Sequence, residues 1–261
     1  MHNRCSDTSF SMPTSFRSRL RAYQKLIGLL ITLPSPEVAE ICANAGFDWL
    51  FLDMEHGLLD VLTVQRIVQT VGDRAACVVR VPSHDPVWIT KVLDVGVAGL
   101  IVPQVNTAEQ VAAVVRAAKY PPQGARSVGL ARAQGYGATF TEYVRSANEI
   151  TAIIVQIEHI DAIRNIDAIL NVAGLDAAFI GPFDLSASLH KTGQITDSEV
   201  QAAIERVRTA GESHKMPVGI FAPTLERAQV ALGEGYTLLA VSADIALLST
   251  AAQQLRSAIK E

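Results

Sequence analysis

The chain has 261 residues, of which 49% are hydrophobic and 18% are charged, and its formal net charge at neutral pH is −4. This composition is typical of a globular protein, and the length allows one large α/β barrel or two smaller domains. The mild charge gives no indication of a nucleic-acid surface, and no apolar stretch reaches about 18 residues without a charge, so we expect no membrane span.

The chain begins with a segment rich in Ser, Thr and Arg, in which Asp7 is the only acid before Lys25. A transit peptide has such a composition, but a disordered extension is the simpler interpretation. We therefore predict a disordered extension over residues 1–14, a short helix near Ser15–Gln24, and a single domain over residues 15–261.

After Lys25, short apolar runs alternate with segments in which apolar residues recur at helical spacing. The helical segments follow capping residues such as Ser35, Asp85 and Thr107, and we expect glycines such as Gly211 to end them. The apolar runs predict eight strands, at residues 26–31, 49–53, 77–81, 99–103, 152–158, 177–181, 217–221 and 238–242.

Strands that are apolar throughout, each followed by a helix, are typical of a parallel sheet that is covered on its faces. Eight such units favour a single α/β domain, a (β/α)8 TIM barrel, over an open doubly wound sheet, because no Gly-x-Gly-x-x-Gly motif follows the first strand. The one long interruption, at about residues 120–150, predicts a lid, a binding loop or an interface element.

The three cysteines, Cys5, Cys42 and Cys77, do not have the spacing of a metal site, and their odd number leaves one thiol without an internal partner. Cys42 and Cys77 fall inside apolar segments, which indicates reduced cysteines of the core. This usage favours a reducing, cytosolic setting.

Two acids follow neighbouring predicted strands, at the end of the barrel where active sites lie. Gln156 and Glu158 share one face of the fifth strand, and Asp184 follows the sixth. Neither acid has a lysine or arginine beside it in the sequence, so a cation between them would relieve their repulsion. Oxygen ligands with open positions suit Mg²⁺, Mn²⁺ or Co²⁺. The alternative is that each acid only caps a helix.

An imidazole and a guanidinium come to the same end of the barrel. His56 lies on the loop after the second strand and is a candidate general base, oriented by Asp53 or Asp94, or else a surface histidine. Arg80 ends the third strand, where it would bind a substrate carboxylate or oxyanion, or else pair with Asp53 or Asp94. None of the six lysines stands at this end of a strand, so we expect a metal and no Schiff-base lysine.

These motifs resemble the HpcH/HpaI family of class II pyruvate aldolases, whose fold is a TIM barrel of the phosphoenolpyruvate/pyruvate-domain type. The resemblance extends from Lys25 to the C terminus, in the order and spacing of every motif. The matching segments are Phe47–Gly57, Val79–Pro82, Leu93–Gly96, Tyr120–Gly129, Val155–Glu158 and Gly181–Ser186.

The resemblance implies a metal-dependent carbon–carbon lyase that reversibly cleaves a 4-hydroxy-2-oxo acid into an aldehyde and pyruvate, or a related 2-oxo acid, through a metal-stabilised enolate. It implies Mg²⁺, Mn²⁺ or Co²⁺ as the cofactor and no nucleotide. It implies Glu158 and Asp184 as metal ligands, Arg80, Gln156, Gly181, Phe183 and Asp184 as substrate-binding residues, and His56, Arg80, Asp53 and Asp94 as catalytic residues.

The family assembles as hexamers, trimers of dimers that exchange their last helix, and the stretch Ile245–Ile259 is apolar on one side as that exchange requires. Two other functions stay open: oxaloacetate decarboxylation or another metal-enolate condensation on the same scaffold, and binding of a 2-oxo acid without turnover. Phe183 stands where relatives have a small or polar residue, so its ring would leave less room for the aldehyde if it faces the pocket.

Overall fold

Eight parallel strands close in chain order into a barrel in the computed structural model, which describes residues 15–259. The predicted (β/α)8 barrel is therefore confirmed, and the predicted strand ends are right to within one residue. The extension predicted for residues 1–14 lies outside the described residues. The strands are β1 (Leu26–Ile31), β2 (Trp49–Asp53), β3 (Ala76–Arg80), β4 (Gly99–Val102), β5 (Ala152–Ile157), β6 (Ala177–Ile180), β7 (Val218–Ala222) and β8 (Leu238–Ala243).

Helices precede and follow the strands around the barrel. The helices that the structure describes are α1 (Phe16–Arg21), α2 (Pro36–Asn44), α3 (Val61–Val71), α4 (Pro86–Val95), α5 (Ala108–Ala118), a 3-10 helix (Arg132–Gly137), α6 (Phe140–Ile150), α7 (Ile160–Arg164), α8 (Ile166–Leu170), α9 (Pro182–Ser188), α10 (Ser198–His214), α11 (Leu225–Gly233) and α12 (Asp244–Ala258). Within residues 15–259, no helix combines the length and hydropathy that crossing a membrane requires.

The helix ends agree with the sequence pattern in most places. Ser35, Asp85 and Thr107 each cap a helix N-terminus, their side chains accepting a backbone hydrogen bond from the first turn. Gly211 was wrongly expected to end a helix, since it lies within α10. A Cβ atom at this glycine would lie 2.2 Å from Cγ2 of Val218, so the missing side chain lets α10 approach β7.

The barrel interior is filled by side chains that alternate along each strand, because successive residues of a strand point to opposite faces. Trp49 and Phe51 of β2 point inward and stack at 5.8 Å between ring centroids, and the Phe51 ring meets Phe179 of β6 edge-on at 5.5 Å. Gly28 of β1 leaves room for them, since a Cβ there would lie 2.4 Å from the Trp49 ring. Cys42 and Cys77 are free thiols and buried, as predicted.

Helix α1 closes the N-terminal mouth of the barrel. Its Phe16 packs 6.0 Å from the Trp49 ring, and Leu20 is buried in the same cluster. Arg17 is also buried, and its Nε donates to Asp176 at 2.8 Å while its Nη1 donates to Glu149 at 3.1 Å. The side chain of Asp176 has no exposed surface, so this ion pair fastens α1 to the barrel.

The long interruption between β4 and β5 contains the 3-10 helix and α6, and it packs on the outer helices. Arg132 donates to the carbonyl of Val95 at the end of α4, at 2.9 Å. Glu149, at the end of α6, contacts Arg17 of α1. No residue of the described segment 120–150 lines the cavity at the other mouth of the barrel. The structure thus gives no support to a lid over that cavity, and the interface alternative stays a prediction.

We expect the substitution Arg17→Ala to lower the free energy of unfolding by about 3 kcal/mol, because it leaves the buried Asp176 carboxylate without its main partner. Arg164→Ala removes an exposed arginine from its pair with Asp161 and should leave stability nearly unchanged. Urea unfolding followed by circular dichroism compares the two variants. Equal stability of both would contradict a stabilising role for the Arg17 pair.

Candidate active site at the carboxyl ends of the strands

The alternation that fills the barrel interior continues to its C-terminal mouth, where the inward side chains become polar. On β2 the inward series is Trp49, Phe51 and then Asp53, which is only 1% exposed. On β3, Arg80 stands directly opposite Asp53 in the register of the two strands. The fifth strand brings Gln156 and Glu158 to the same mouth in the same way.

Arg80 and Asp53 form a buried, two-point ion pair. The Nε and Nη2 atoms of Arg80 donate to the two carboxylate oxygens of Asp53, at 2.9 and 2.7 Å. Nη1 donates to Oε1 of Gln156 at 3.4 Å, and the guanidinium lies 5.3 Å from the centroid of the Phe51 ring. The pairing of Arg80 with Asp53, left open by the sequence, is confirmed, and the fork of donors is held in one orientation.

Both members of this pair stay charged. Burial raises the pKa of Asp53, but hydrogen bonds from Arg80 and its positive charge outweigh burial and hold that pKa below its usual value. Burial lowers the pKa of Arg80, and Asp53 reverses this effect and raises it. Arg80 therefore remains an ionised hydrogen-bond donor at the barrel mouth, and Asp53 balances its charge.

Glu55 is a third member of this group that the sequence analysis did not select. Its side chain is 9% exposed, and its Oε2 lies 3.2 Å from Nη1 of Arg80 without a hydrogen bond among the described residues. Its Oε1 accepts from Nε2 of Gln104 at 3.3 Å. Burial raises the pKa of Glu55, although the charge of Arg80 opposes that rise. In the sequence, its position two residues after Asp53 could have indicated that Glu55 also lies at this mouth of the barrel.

Glu158 is fixed by two neighbours. Its Oε1 accepts from the backbone N–H of Gln104 at 2.7 Å, and its Oε2 accepts from Nε2 of Gln156. Gln104 follows β4 with a φ of 57°, a left-handed conformation that aims its N–H at the carboxylate. Burial raises the pKa of Glu158, and the negative charge of Asp184 raises it further. The two acids thus act on each other at one mouth of the barrel.

A cavity of about 260 Å³ opens at this mouth, beside the start of α9. Asp184 lies in the first turn of that helix, and Gly181 precedes it. A Cβ atom at Gly181 would lie 3.1 Å from Nε2 of Gln156 and 3.3 Å from Oε2 of Glu158, so the backbone approaches both side chains closely. Of the predicted site residues, the cavity is lined by His56, Arg80, Gln156, Gly181, Phe183 and Asp184.

The two predicted partners of the His56 imidazole bind arginine side chains instead. Asp94 is on α4, and it accepts from Nη2 of Arg126 at 2.6 Å. Asp53 accepts from the backbone N–H of His56 at 3.3 Å, while both of its oxygens are bound to Arg80. Contacts within residues 15–259 therefore do not support the prediction that Asp53 or Asp94 orients the imidazole ring. Asp53 positions the loop and the guanidinium instead.

The residues at this mouth fit a divalent cation. Four acids (Asp53, Glu55, Glu158 and Asp184) stand near one guanidinium, and burial raises the pKa of Glu55 and of Glu158, so a further positive charge would stabilise their ionised forms. Within the described residues, no three His, Cys, Asp or Glu side chains gather closely enough to ligate an ion by themselves. Glu158 and Asp184 could thus supply two oxygen ligands and leave the other positions open, as Mg²⁺ and Mn²⁺ sites in enzymes do.

Comparison with known proteins gives a consistent result. The sequence model of the HpcH/HpaI aldolase/citrate lyase family matches residues 26–251. A 5-keto-4-deoxy-D-glucarate aldolase of Klebsiella pneumoniae is 38% identical over 95% of this chain and 98% of its own length. An HpcH/HpaI aldolase/citrate lyase family protein of Burkholderia cenocepacia superposes with a TM-score of 0.92 at 34% identity, over 95% of this chain and 100% of that one. The HpcH/HpaI aldolase of Desulfitobacterium hafniense superposes with a TM-score of 0.88 at 31% identity, over 95% and 98%.

We expect Asp53→Asn to lower the free energy of unfolding by about 3 kcal/mol at pH 7, because Arg80 keeps its buried charge but loses the paired carboxylate. The pKa of Asp53 is below its usual value of 3.8, so the pair contributes fully above that pH and is lost as the pH falls through the lowered pKa. Urea unfolding at several pH values should therefore show that the free energies of unfolding of the native protein and of Asp53→Asn become equal as the pH falls. The exposed Asp73→Asn serves as a control, and a difference independent of pH would contradict the ion pair as its cause.

Proposed function

The chain belongs to the HpcH/HpaI aldolase/citrate lyase family, and we propose that it cleaves a 4-hydroxy-2-oxo acid reversibly into pyruvate and an aldehyde. It is a carbon–carbon lyase of the aldehyde-lyase class. The observation that carries the proposal is that Asp184, Arg80 and His56 line one cavity, and that Glu158 lies beside its wall at Gly181, near enough to Asp184 for their charges to interact. Of the described residues that line this cavity, none is a lysine, which supports a metal over a Schiff base.

The family is metal-dependent, and we assign the metal site to Glu158 and Asp184. The bound ion would polarise the keto group of the substrate as a Lewis acid. The assigned donors are carboxylate oxygens, so Mg²⁺ or Mn²⁺ suits the site. Gln156 donates from its amide to the Glu158 carboxylate and so holds that side chain in place.

The chain's own residues account for the remaining steps. The backbone around Gly181 and Phe183 lies beside Gln156 and holds the substrate carboxylate. In cleavage, His56 takes the proton of the 4-hydroxyl, the bond between the third and fourth carbons breaks, and the aldehyde leaves. The electron pair passes to the pyruvate enolate, whose oxygen accepts from Arg80. The proton that His56 has taken up then passes to the third carbon of the enolate, which completes pyruvate and restores the base.

Arg80 is able to stabilise this oxyanion because Asp53 holds it before the substrate arrives. Two of its nitrogens are bound to Asp53, which leaves the edge bearing Nη1 turned to Gln156 and the cavity. A preorganised donor does not have to reorient when charge develops, and this is the main source of its effect on rate. Asp53 is thus a positioning residue in this scheme.

We also propose that the protein assembles with further copies through α12. This helix starts at the end of β8, and it carries apolar side chains that are exposed in the single chain. A helix with such a surface gains stability by burying it against another copy. The exposed apolar residues are Ile245, Leu247, Leu248 and Leu255, followed by Ile259. A hexamer built from dimers that exchange this helix would bury them.

Glu158→Gln should weaken the binding of Mn²⁺ by about tenfold or more, since it removes a charged ligand from a site with two protein carboxylates. Isothermal titration with MnCl₂ measures this without reference to activity. Glu142→Gln, on the outer helix α6, removes an exposed acid and should leave the affinity unchanged. Equal Mn²⁺ affinity of all three proteins would contradict the assigned site.

Arg80→Lys should lower kcat/KM for cleavage of 4-hydroxy-2-oxopentanoate by about 10²-fold or more, because a lysine cannot reproduce the held fork of donors. His56→Ala should lower it by about 10²-fold to 10⁴-fold through loss of the base. Release of pyruvate, coupled to lactate dehydrogenase, gives the rates. The same assay with oxaloacetate separates the decarboxylase alternative, and substitutions that alter affinity alone would indicate a binding protein.

A further inference from the structure

One side of the cavity is an aromatic wall, formed by Phe183 of α9 and Phe221 of β7. Their ring centroids are 6.3 Å apart, with planes tilted by 54°, and both rings line the cavity. The side chain of Phe183 belongs to a residue that is 44% exposed, so its ring faces the open space and is not part of the barrel core. Deeper in the cavity, Leu30, Phe51 and Phe179 continue the apolar surface.

The aromatic wall is held in position by the start of α9. Pro182 occupies the first turn of this helix, and the backbone N–H of Leu185 donates to the carbonyl of Gly181 at 3.0 Å. The hydroxyl of Ser186 donates to the carbonyl of Phe183 at 2.6 Å. The backbone on both sides of Phe183 is therefore held, which fixes the point from which its ring extends into the cavity.

The aromatic wall offers an anion no partner, because neither phenyl ring carries a hydrogen-bond donor or a positive charge. Asp184, next to Phe183 in the sequence, also lines the cavity, and it is an acid that we assign to the metal ion. Among the described residues that line the cavity, Arg80 is the one cation, and it is already bound to Asp53 and close to Glu55. A carboxylate placed against the two rings would lose its water without gaining a partner, which is costly.

We propose that the aldehyde fragment of the substrate carries an uncharged apolar group, which packs on Phe183 and Phe221, and not a second carboxylate. This inference rests on the proposed aldolase function and names the substrate class of the same site. Contact with two aromatic rings stabilises an apolar group by removing its surface from water. Phe183 is then a specificity-determining residue for the acceptor aldehyde.

The test uses two aldehydes of matched shape, 4-methylpentanal and succinic semialdehyde, in which an isopropyl group replaces a carboxylate. With pyruvate and Mn²⁺, the native protein should show a kcat/KM for 4-methylpentanal that is roughly tenfold or more above that for succinic semialdehyde. Product formation is followed by chromatography of the 4-hydroxy-2-oxo acids. Equal values, or a preference for succinic semialdehyde, would overturn the inference.

Two substitutions at the wall sharpen the test. Phe183→Ala should reduce the preference for 4-methylpentanal by about tenfold, because it removes the packing surface. Phe183→Lys supplies a cation beside the same space and should shift the ratio toward succinic semialdehyde. Val230→Ala truncates an exposed side chain on α11, which does not line the cavity, and should leave the ratio unchanged. If the ratio of kcat/KM for 4-methylpentanal to kcat/KM for succinic semialdehyde is the same in all three variants, the role of Phe183 is overturned.

A separate measurement distinguishes this inference from the function on which it depends. The native protein, with Mn²⁺ and pyruvate but no aldehyde, should exchange the methyl protons of pyruvate for deuterium in heavy water, as seen by proton NMR. Exchange together with a preference for succinic semialdehyde would overturn the substrate class alone. Absence of exchange, with no product from either aldehyde, would overturn the aldolase function and this inference together.

Discussion

The buried ion pair between Arg80 and Asp53 is the interaction on which the C-terminal mouth of the barrel depends. Two charges that are taken out of water lose several kcal/mol of hydration each, and the loss is recovered only when geometry and further hydrogen bonds are good. Here the pair is bound at two points, and Gln156 and the backbone of the β2 loop occupy much of the remaining hydrogen-bonding capacity. Asp53 leaves the Nη1 atom of this guanidinium unbound, and Nη1 lies beside Gln156 and Glu55 in a side chain that lines the cavity.

The other acids at this mouth differ from Asp53 in how their charges are compensated. Glu158 has amide partners, from Gln104 and Gln156, and it has a second acid, Asp184, near it. Its charge is therefore poorly compensated by the chain itself, in contrast to that of Asp53. The charge of Asp53 is balanced by Arg80, and this acid holds the guanidinium in position. Glu158 forms no salt bridge within the described residues, so a bound cation would stabilise its charge. This difference separates the structural acid from the proposed ligands within one group of side chains.

The cavity also divides into a polar and an apolar half. Arg80, Gln156 and Asp184 line one part, to which the proposed mechanism assigns the keto acid, and aromatic rings line the rest. The same alternation along β2 and β6 that fills the barrel interior with Trp49, Phe51 and Phe179 thus also sets the floor of the cavity. In the proposed scheme, bond cleavage and the choice of aldehyde are therefore assigned to different residues. The aldehyde pocket can then change while the pyruvate site is kept.

The sequence by itself determined the eight strands, the barrel and the set of polar residues at the strand ends, because apolar runs and a period of two are local properties. Arg80 and Asp53 could be placed at one mouth from these properties alone, but not the choice between a substrate and Asp53 as partner of Arg80. Only the tertiary structure decided that Asp94 binds Arg126, that Gln104 aims its N–H at Glu158, and that Glu55 is buried beside Arg80. The reason is physical: strand register and the left-handed turn at Gln104 join residues about fifty positions apart, and no local pattern records which side chains then meet. The position of the Phe183 ring beside Phe221 was also set by the tertiary structure, because these residues come from different elements of the barrel.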